Sequence, residues 1–190
     1  MAGPRLQHLN AALKAFWSQL ARDQLAARRI ELAVVAFGGG VQVIRELTTV
    51  DKVDLPTLRA SGPPCLVGGL EKAVALVETR CGVYKDCGIP YHRPWIFTVT
   101  ASPPDRDVER VSRLLRTKED SKHLACFAVA VADLDLTGLR AILKREPLQL
   151  EGLEFQKLFS WLSASLRTAA YAEIFDAPVP LPTIDWQKKR

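Results

Sequence analysis

The stretch Gly88-Ile89-Pro90-Tyr91-His92-Arg93-Pro94-Trp95-Ile96-Phe97-Thr98-Val99-Thr100 decides the fold. Its first half reads as a turn. Proline has no N–H to give a helix and pushes the residue before it into extended backbone. From Pro94 onward the side chains become aromatic, β-branched and almost continuously apolar. A short run of this kind is predicted to be a strand covered on both faces, as in parallel sheets. Ala101 to Pro104 then turns the chain away.

Working outward, two more runs share that character: Ile30–Phe37 (IELAVVAF) and Leu124–Val131 (LACFAVAV). Between and around them the apolar residues recur at three- and four-residue spacing, which predicts helices. The first covers Arg5–Ala27, with Leu6, Leu9, Leu13, Phe16, Trp17 and Leu20 on one face and Pro4 in the tolerant first turn. Others cover Leu66–Cys81, Asp107–Arg116 with Asp107 as either a cap or a charge favoured at its positive end, Leu136–Leu143 and Phe155–Thr168. Gly38-Gly39-Gly40 stops the Ile30–Phe37 strand. Val41–Leu47 follows at once and alternates, so a tight hairpin and an antiparallel edge strand are expected. Residues 51–64 carry four breakers, Pro56, Gly62, Pro63 and Pro64, and read as loop. Strands alternating with helices give an α/β fold with a mostly parallel sheet and helices on both faces.

Composition narrows the function. The chain has 190 residues, enough for one sizeable core and short for two. Residues 1–176 are read as a single domain and 177–190, rich in proline, as an extended tail. No apolar run approaches a membrane span. No leader pattern is legible at the N-terminus, which makes the cytoplasm the expected compartment. The formal charge of +5 comes from scattered basic residues. Aromatics do not alternate with them as a single-strand stacking platform would need. Four cysteines, Cys65, Cys81, Cys87 and Cys126, include no Cys-x-x-Cys pair. With only His8, His92 and His123 beside them, no zinc spacing arises. Cys126 sits in an apolar run and reads as a buried small hydrophobe. Cys81 and Cys87 flank an expected turn and would stay reduced in a cytosol. The serines of Phe155–Thr168, Ser160, Ser163 and Ser165, lack the strained Gly-x-Ser-x-Gly elbow, and no nucleophile–base pair is visible.

Beyond composition, several blocks carry a resemblance. They are Gly88–Phe97, Arg145-Glu146-Pro147-Leu148, Gly152-Leu153 with Phe155, Leu158–Ser163, Pro180-Leu181-Pro182 with Trp186, and Leu9-Asn10-x-x-Leu13. Together they resemble von Willebrand factor A (vWA) domains of the bacterial TerY-like type, over nearly the whole chain. The resemblance implies a doubly wound, Rossmann-like sheet with a ligand face at the carboxyl ends of its strands. It also implies a metal-ion-dependent adhesion site, where oxygen ligands hold a hard divalent cation that captures a partner's carboxylate. The residues here depart from that pattern. An Asp-x-Ser-x-Ser loop and the strand before it are missing. Pro64 stands where the family has a threonine, and Ala101 where it has an aspartate. Neither a metal nor any cofactor is therefore expected, and no catalytic residue is assigned. The loops of Gly39, Ser61, Pro64, Cys65, Ala101, Ser102 and Asp105 become a candidate protein-binding face. Kinship implies stress-response or tellurium-resistance systems, with kinase- or phosphatase-like partners.

Two other readings remain open. A nucleotide-binding Rossmann enzyme would lean on Gly38–Gly40, but a strand follows those glycines where a phosphate site needs a helix N-terminus. Nucleic-acid binding would lean on net charge and would show steep salt dependence. The absent first strand is central in the family's order, and three accounts compete for it. In the first the start lies upstream, in the second the strands Ile30–Phe37 and Pro94–Thr100 pair directly, and in the third a partner donates a strand.

Overall fold

The computed structural model describes residues 2–52, 57–105 and 108–173, together with Ile184 and Gln187. The chain divides into two compact units. The first is Met1–Val34, Val43–Ala60 and Leu153–Trp186; the second is Val35–Gln42, Ser61–Gly152 and Gln187–Arg190.

In the first unit, helix α1 (Pro4–Ala21) starts with proline, after Gly3 at φ 59°. The predicted helix Arg5–Ala27 is in fact two. The chain leaves helical geometry at Asp23, whose carboxylate accepts the Ala26 N–H and caps a second helix, α2 (Gln24–Arg29). An aspartate can satisfy an orphan N–H this way, and periodicity alone does not reveal it. Leu9, Ala12, Phe16, Trp17 and Leu20 form the buried face of α1. The long helix α6 (Phe155–Tyr171) buries Phe155, Leu158, Phe159 and Leu162. The Phe16 and Phe159 rings lie 5.4 Å apart, centroid to centroid. Each large side chain buried as fully as Leu20 or Phe155 contributes about 2 kcal/mol. Two polar ties hold the periphery: the Asn10 amide clamps both the N–H and the C=O of Leu58, and Arg29 donates to the Ala170 carbonyl. Strands β1 (Glu31–Ala36) and β2 (Gln42–Thr49), of which Glu31–Val34 and Val43–Thr49 belong to this unit, pair in a sheet of their own, followed by a 3-10 turn at Val50–Lys52.

The second unit holds a parallel sheet in the order β3 (Trp95–Thr100), β4 (Ala125–Ala130), β5 (Leu148–Gln149). Trp95 pairs with Ala125 and Thr100 with Ala130; Val129 and Ala130 pair with Leu148 and Gln149. This register sets Ile96, Cys126, Ala128 and Ala130 into one core. Leu66, Leu70 and Val74 of α3 (Leu66–Asp86) join it, as do Val111 and Leu115 of α4 (Val108–Asp120) and Leu139 and Ile142 of α5 (Thr137–Ile142). The even positions of β3 are buried and the odd ones half-buried, so β3 has a fully covered face and a partly covered one.

The mixed α/β class and the parallel sheet agree with the sequence reading. Other details differ. The hairpin strand β2 pairs with β1 alone in a two-stranded sheet, and β1 and β3 belong to different sheets. Helix α3 runs past Cys81 to Asp86, and Cys87 is its C-cap, so these two cysteines lie at a helix end where a flanked turn was expected. Helix α4 runs on to Asp120, and the two-residue β5 is too short and polar to register as a strand. Asp107 and most of the 177–190 tail fall outside the described residues.

Candidate functional site

Two of the three loops marked in the sequence meet directly in the second unit. Gly38 and Pro64 form an isolated antiparallel bridge. The Gly39 N–H donates to the Pro63 carbonyl at 2.8 Å, and the Cys65 N–H donates to the Phe37 carbonyl at 2.9 Å. Ser61 Oγ donates to the Gly38 carbonyl at 2.6 Å. The clasp is backbone on backbone, so it depends on glycine. Gly39 sits at φ 67° and Gly62 at φ 43°, and a β-carbon on Gly62 would stand 2.5 Å from the Gly39 α-carbon. No side chain fits there without moving the opposite strand of loop. The loops are exposed around Gly39, Ser61 and Pro64, while Cys65 is half-buried and begins α3.

The third loop reaches the same end of α3 by one residue. Asp105 Oδ1 accepts the Val67 N–H at 3.0 Å, satisfying one of the free donors of the first turn. A carboxylate there is also favoured by the helix dipole. Ala101 and Ser102 instead fold onto their own strand end. Thr100 Oγ1 donates to the Ser102 carbonyl and accepts the Ser102 N–H. Pro104 packs on α5: a β-carbon on Gly138 would lie 2.6 Å from Pro104 Cδ. The candidate residues therefore fall into three groups. Gly39, Ser61, Pro64 and Cys65 share the clasp, Asp105 caps α3, and Ala101 with Ser102 shape the turn after β3.

A second polar cluster went unseen in the sequence. Glu119 ends the buried face of α4, with its side chain only 1% exposed. Its Oε1 accepts the Cys126 N–H at 3.1 Å and lies 3.3 Å from Arg145 Nη1. Arg145 covers the Phe127 ring, its guanidinium carbon 5.3 Å from the centroid. Arg93 donates to the carbonyls of Leu124 and Glu119, which anchors the turn before β3 to the far end of α4. Desolvation holds the Arg93 guanidinium below its usual value, with the nearby Arg145 charge acting the same way. The Arg93-Pro94 and Arg145-Glu146 blocks thus converge on one residue, Arg93 at the Glu119 carbonyl and Arg145 at its carboxylate. Their role is architectural: they lock β3, β4 and α4 together.

The remaining reactive groups are scattered. All four cysteines are free thiols. Burial pushes the Cys126 thiol up to about 12, with the Glu119 charge adding to it, so it stays protonated and inert. Burial also raises Cys81, which hydrogen-bonds Tyr91. His8 and His123 are exposed, and His123 Nδ1 shares a hydrogen bond with Ser121 Oγ. His92 is half-buried in the turn before β3. No cluster of three histidine, cysteine or acidic side chains is placed to hold a metal among the described residues. No described helix is long and apolar enough to cross a membrane.

With this geometry in view, the solved structures give a match. A von Willebrand factor type A protein from Catenulispora acidiphila superposes with a TM-score of 0.63 over 87% of this chain, at 16% identity. The fold is vWA-like. The match takes in 39% of that neighbour, so this chain spans about two-fifths of its length. An uncharacterised membrane-spanning protein from Vibrio fischeri also matches, over 66% of this chain at 15% identity, but its TM-score of 0.26 supports no argument. No protein-family profile matches the sequence, and no curated protein matches it significantly.

Proposed function

We propose that this chain is a non-catalytic protein-interaction module of vWA type whose binding face is the exposed clasp and the turn beside it. The observation that carries this is the state of the oxygens in those loops. Ser61 Oγ is spent on the Gly38 carbonyl, and Asp105 Oδ1 on the α3 N-terminus. Pro64 and Ala101 have no side-chain oxygen to offer. A hard divalent cation needs about six oxygens, several from charged or neutral side chains. The residues present do not fit one. Recognition here is by shape and backbone hydrogen bonds, with no cation bridging to a partner's carboxylate. Resemblance to TerY-like domains supports a bacterial stress or tellurium-resistance setting, with kinase- or phosphatase-like proteins as partners.

Capture of partners from a host lysate tests the reading, with the wild-type chain set against Ser61→Ala/Pro64→Ala and Ser102→Ala/Asp105→Asn. Loss of the same partner from both variants, with chelator having no effect, is the expected result. Retention of every partner by both variants removes the proposed face. A calorimetric Mg²⁺ or Mn²⁺ isotherm with micromolar Kd, lost in Asp105→Asn, overturns the metal-free mechanism.

A further inference from the structure

The first unit contains a cleft, apart from the loops above, where the α1–α2 turn faces α6. It is an open hollow of about 550 Å³, lined by Gln19, Arg22, Asp23, Ser160, Arg167 and Tyr171, among others. That volume falls in the range of small-molecule sites. Its centre is a fixed charge pair. Arg167 Nε donates to Asp23 Oδ2 at 2.9 Å, and the Tyr171 hydroxyl donates to Oδ1 at 3.0 Å. Asp23 is held again from below by the Ala26 N–H. The carboxylate is only 10% exposed, while the arginine it orients is 52% exposed.

This asymmetry matters. Asp23 accepts three hydrogen bonds from within the protein, two on Oδ1 and one on Oδ2. Arg167 has used only Nε, and its two Nη groups have no partner among the described residues. A guanidinium aimed by a half-buried carboxylate has given up part of its rotamer freedom in advance, which lowers the cost of binding a planar or tetrahedral oxyanion. Arg22 lines the same cleft and forms no ion pair among the described residues. Two cations against one carboxylate leave the cleft net positive. Gln19, Gln24 and Ser160 add neutral donors and acceptors around it. Tyr171, tethered by its hydroxyl, keeps 59% of its surface exposed at the rim.

We infer that the α1–α2/α6 cleft is a binding site for a small phosphate monoester on a hydroxylated carbon frame, with Arg167 and Arg22 taking the phosphoryl group. The carboxamides and Ser160 meet the hydroxyls of the frame. Arg167 binds through its Nη edge, and Asp23 is a positioning residue that never touches the ligand.

Calorimetry on the full chain at constant ionic strength tests this, with glucose 6-phosphate as probe and glucose and inorganic phosphate as comparisons. Saturable binding of glucose 6-phosphate is expected, weaker binding of phosphate alone, and none of glucose. Arg22→Gln, on an exposed turn, should weaken the hexose phosphate by about tenfold, the scale of one lost charged hydrogen bond. Asp23→Asn frees the Arg167 guanidinium but makes the cleft more positive, so the affinity for glucose 6-phosphate relative to phosphate should fall, and an unchanged ratio removes Asp23 as a positioning residue. Circular dichroism of both variants verifies the fold, and Tyr171→Phe supplies a second variant that keeps both arginines. Equal affinity for glucose and glucose 6-phosphate overturns the site. So does the absence of binding at about 10 mM, tenfold beyond a millimolar Kd, or an unchanged affinity in folded Arg22→Gln.

Discussion

Replacing Gly62 with alanine tests the clasp at its tightest point. Two penalties apply. A β-carbon at φ 43° costs about 1 kcal/mol of left-handed strain, and at 2.5 Å from the Gly39 α-carbon it forces the loops apart. Holding the clasp shut against that overlap would cost about 1–3 kcal/mol more. Opening it sacrifices the Gly39–Pro63, Cys65–Phe37 and Ser61–Gly38 hydrogen bonds, each worth about 1 kcal/mol net. The chain takes the cheaper route, so the expected loss is about 2–4 kcal/mol. Gly88→Ala is the matched control: it too has positive φ, 65°, but its β-carbon would meet nothing within 4 Å. It should lose only the strain, about 1 kcal/mol. Urea unfolding of both variants gives the difference, and amide exchange locates it. The Gly39 and Cys65 amides should lose protection in Gly62→Ala alone. If the two variants are equally stable and both amides stay protected, the backbone clasp is not what shapes this face.

Other outcomes follow from the same contacts. Arg145→Met strands the Glu119 carboxylate in the interior and should cost about 3 kcal/mol, whereas adding Glu119→Gln should recover part of it, as read by a double-mutant cycle in urea. In native protein, a thiol-specific reagent should modify exposed Cys87 first and leave Cys126 untouched until unfolding. Fast reaction of Cys126 would contradict its burial and its value of about 12. The Asp23 carboxyl is held below its usual value, chiefly by the Ala26 N–H, with Tyr171 and Arg167 helping. A depressed folded value adds stability above the unfolded value, near pH 4, and loses it as the pH falls through the folded one. Stability of the wild-type chain should therefore drop below about pH 4, with a shallower acid limb in Asp23→Asn.

How much of this was legible beforehand depended on the kind of signal. Buried strands and amphipathic helices announce themselves through side-chain pattern, so IELAVVAF, WIFTVT and LACFAVAV were all found to within a residue or two. The break at Asp23 was not, because one carboxylate taking one N–H leaves no periodic trace. The loops that meet in the clasp were marked by their glycines and prolines, yet the closeness of Gly39 to Gly62 is a long-range fact that neither segment carries alone. Arg93 and Arg145 stood out only as parts of family-like blocks. The buried Glu119 that explains both looked like any charged residue near a helix end.

Glu119 also bears on the order in which the second unit can assemble. Its carboxylate is met from the start of β4 and from the segment after α5, and its carbonyl from the turn before β3; all but β4 are distant from it in sequence. Until those pieces are docked, burying α4's end means burying a charge without relief, which is strongly unfavourable. Partly assembled forms are thereby raised in free energy above the finished one, in which Oε1 is paired although the buried Oε2 has no hydrogen-bond partner. The carboxylate works as a gate on intermediates: this unit should fold and unfold as a single step, and fragments of it that end before Arg145 should stay open.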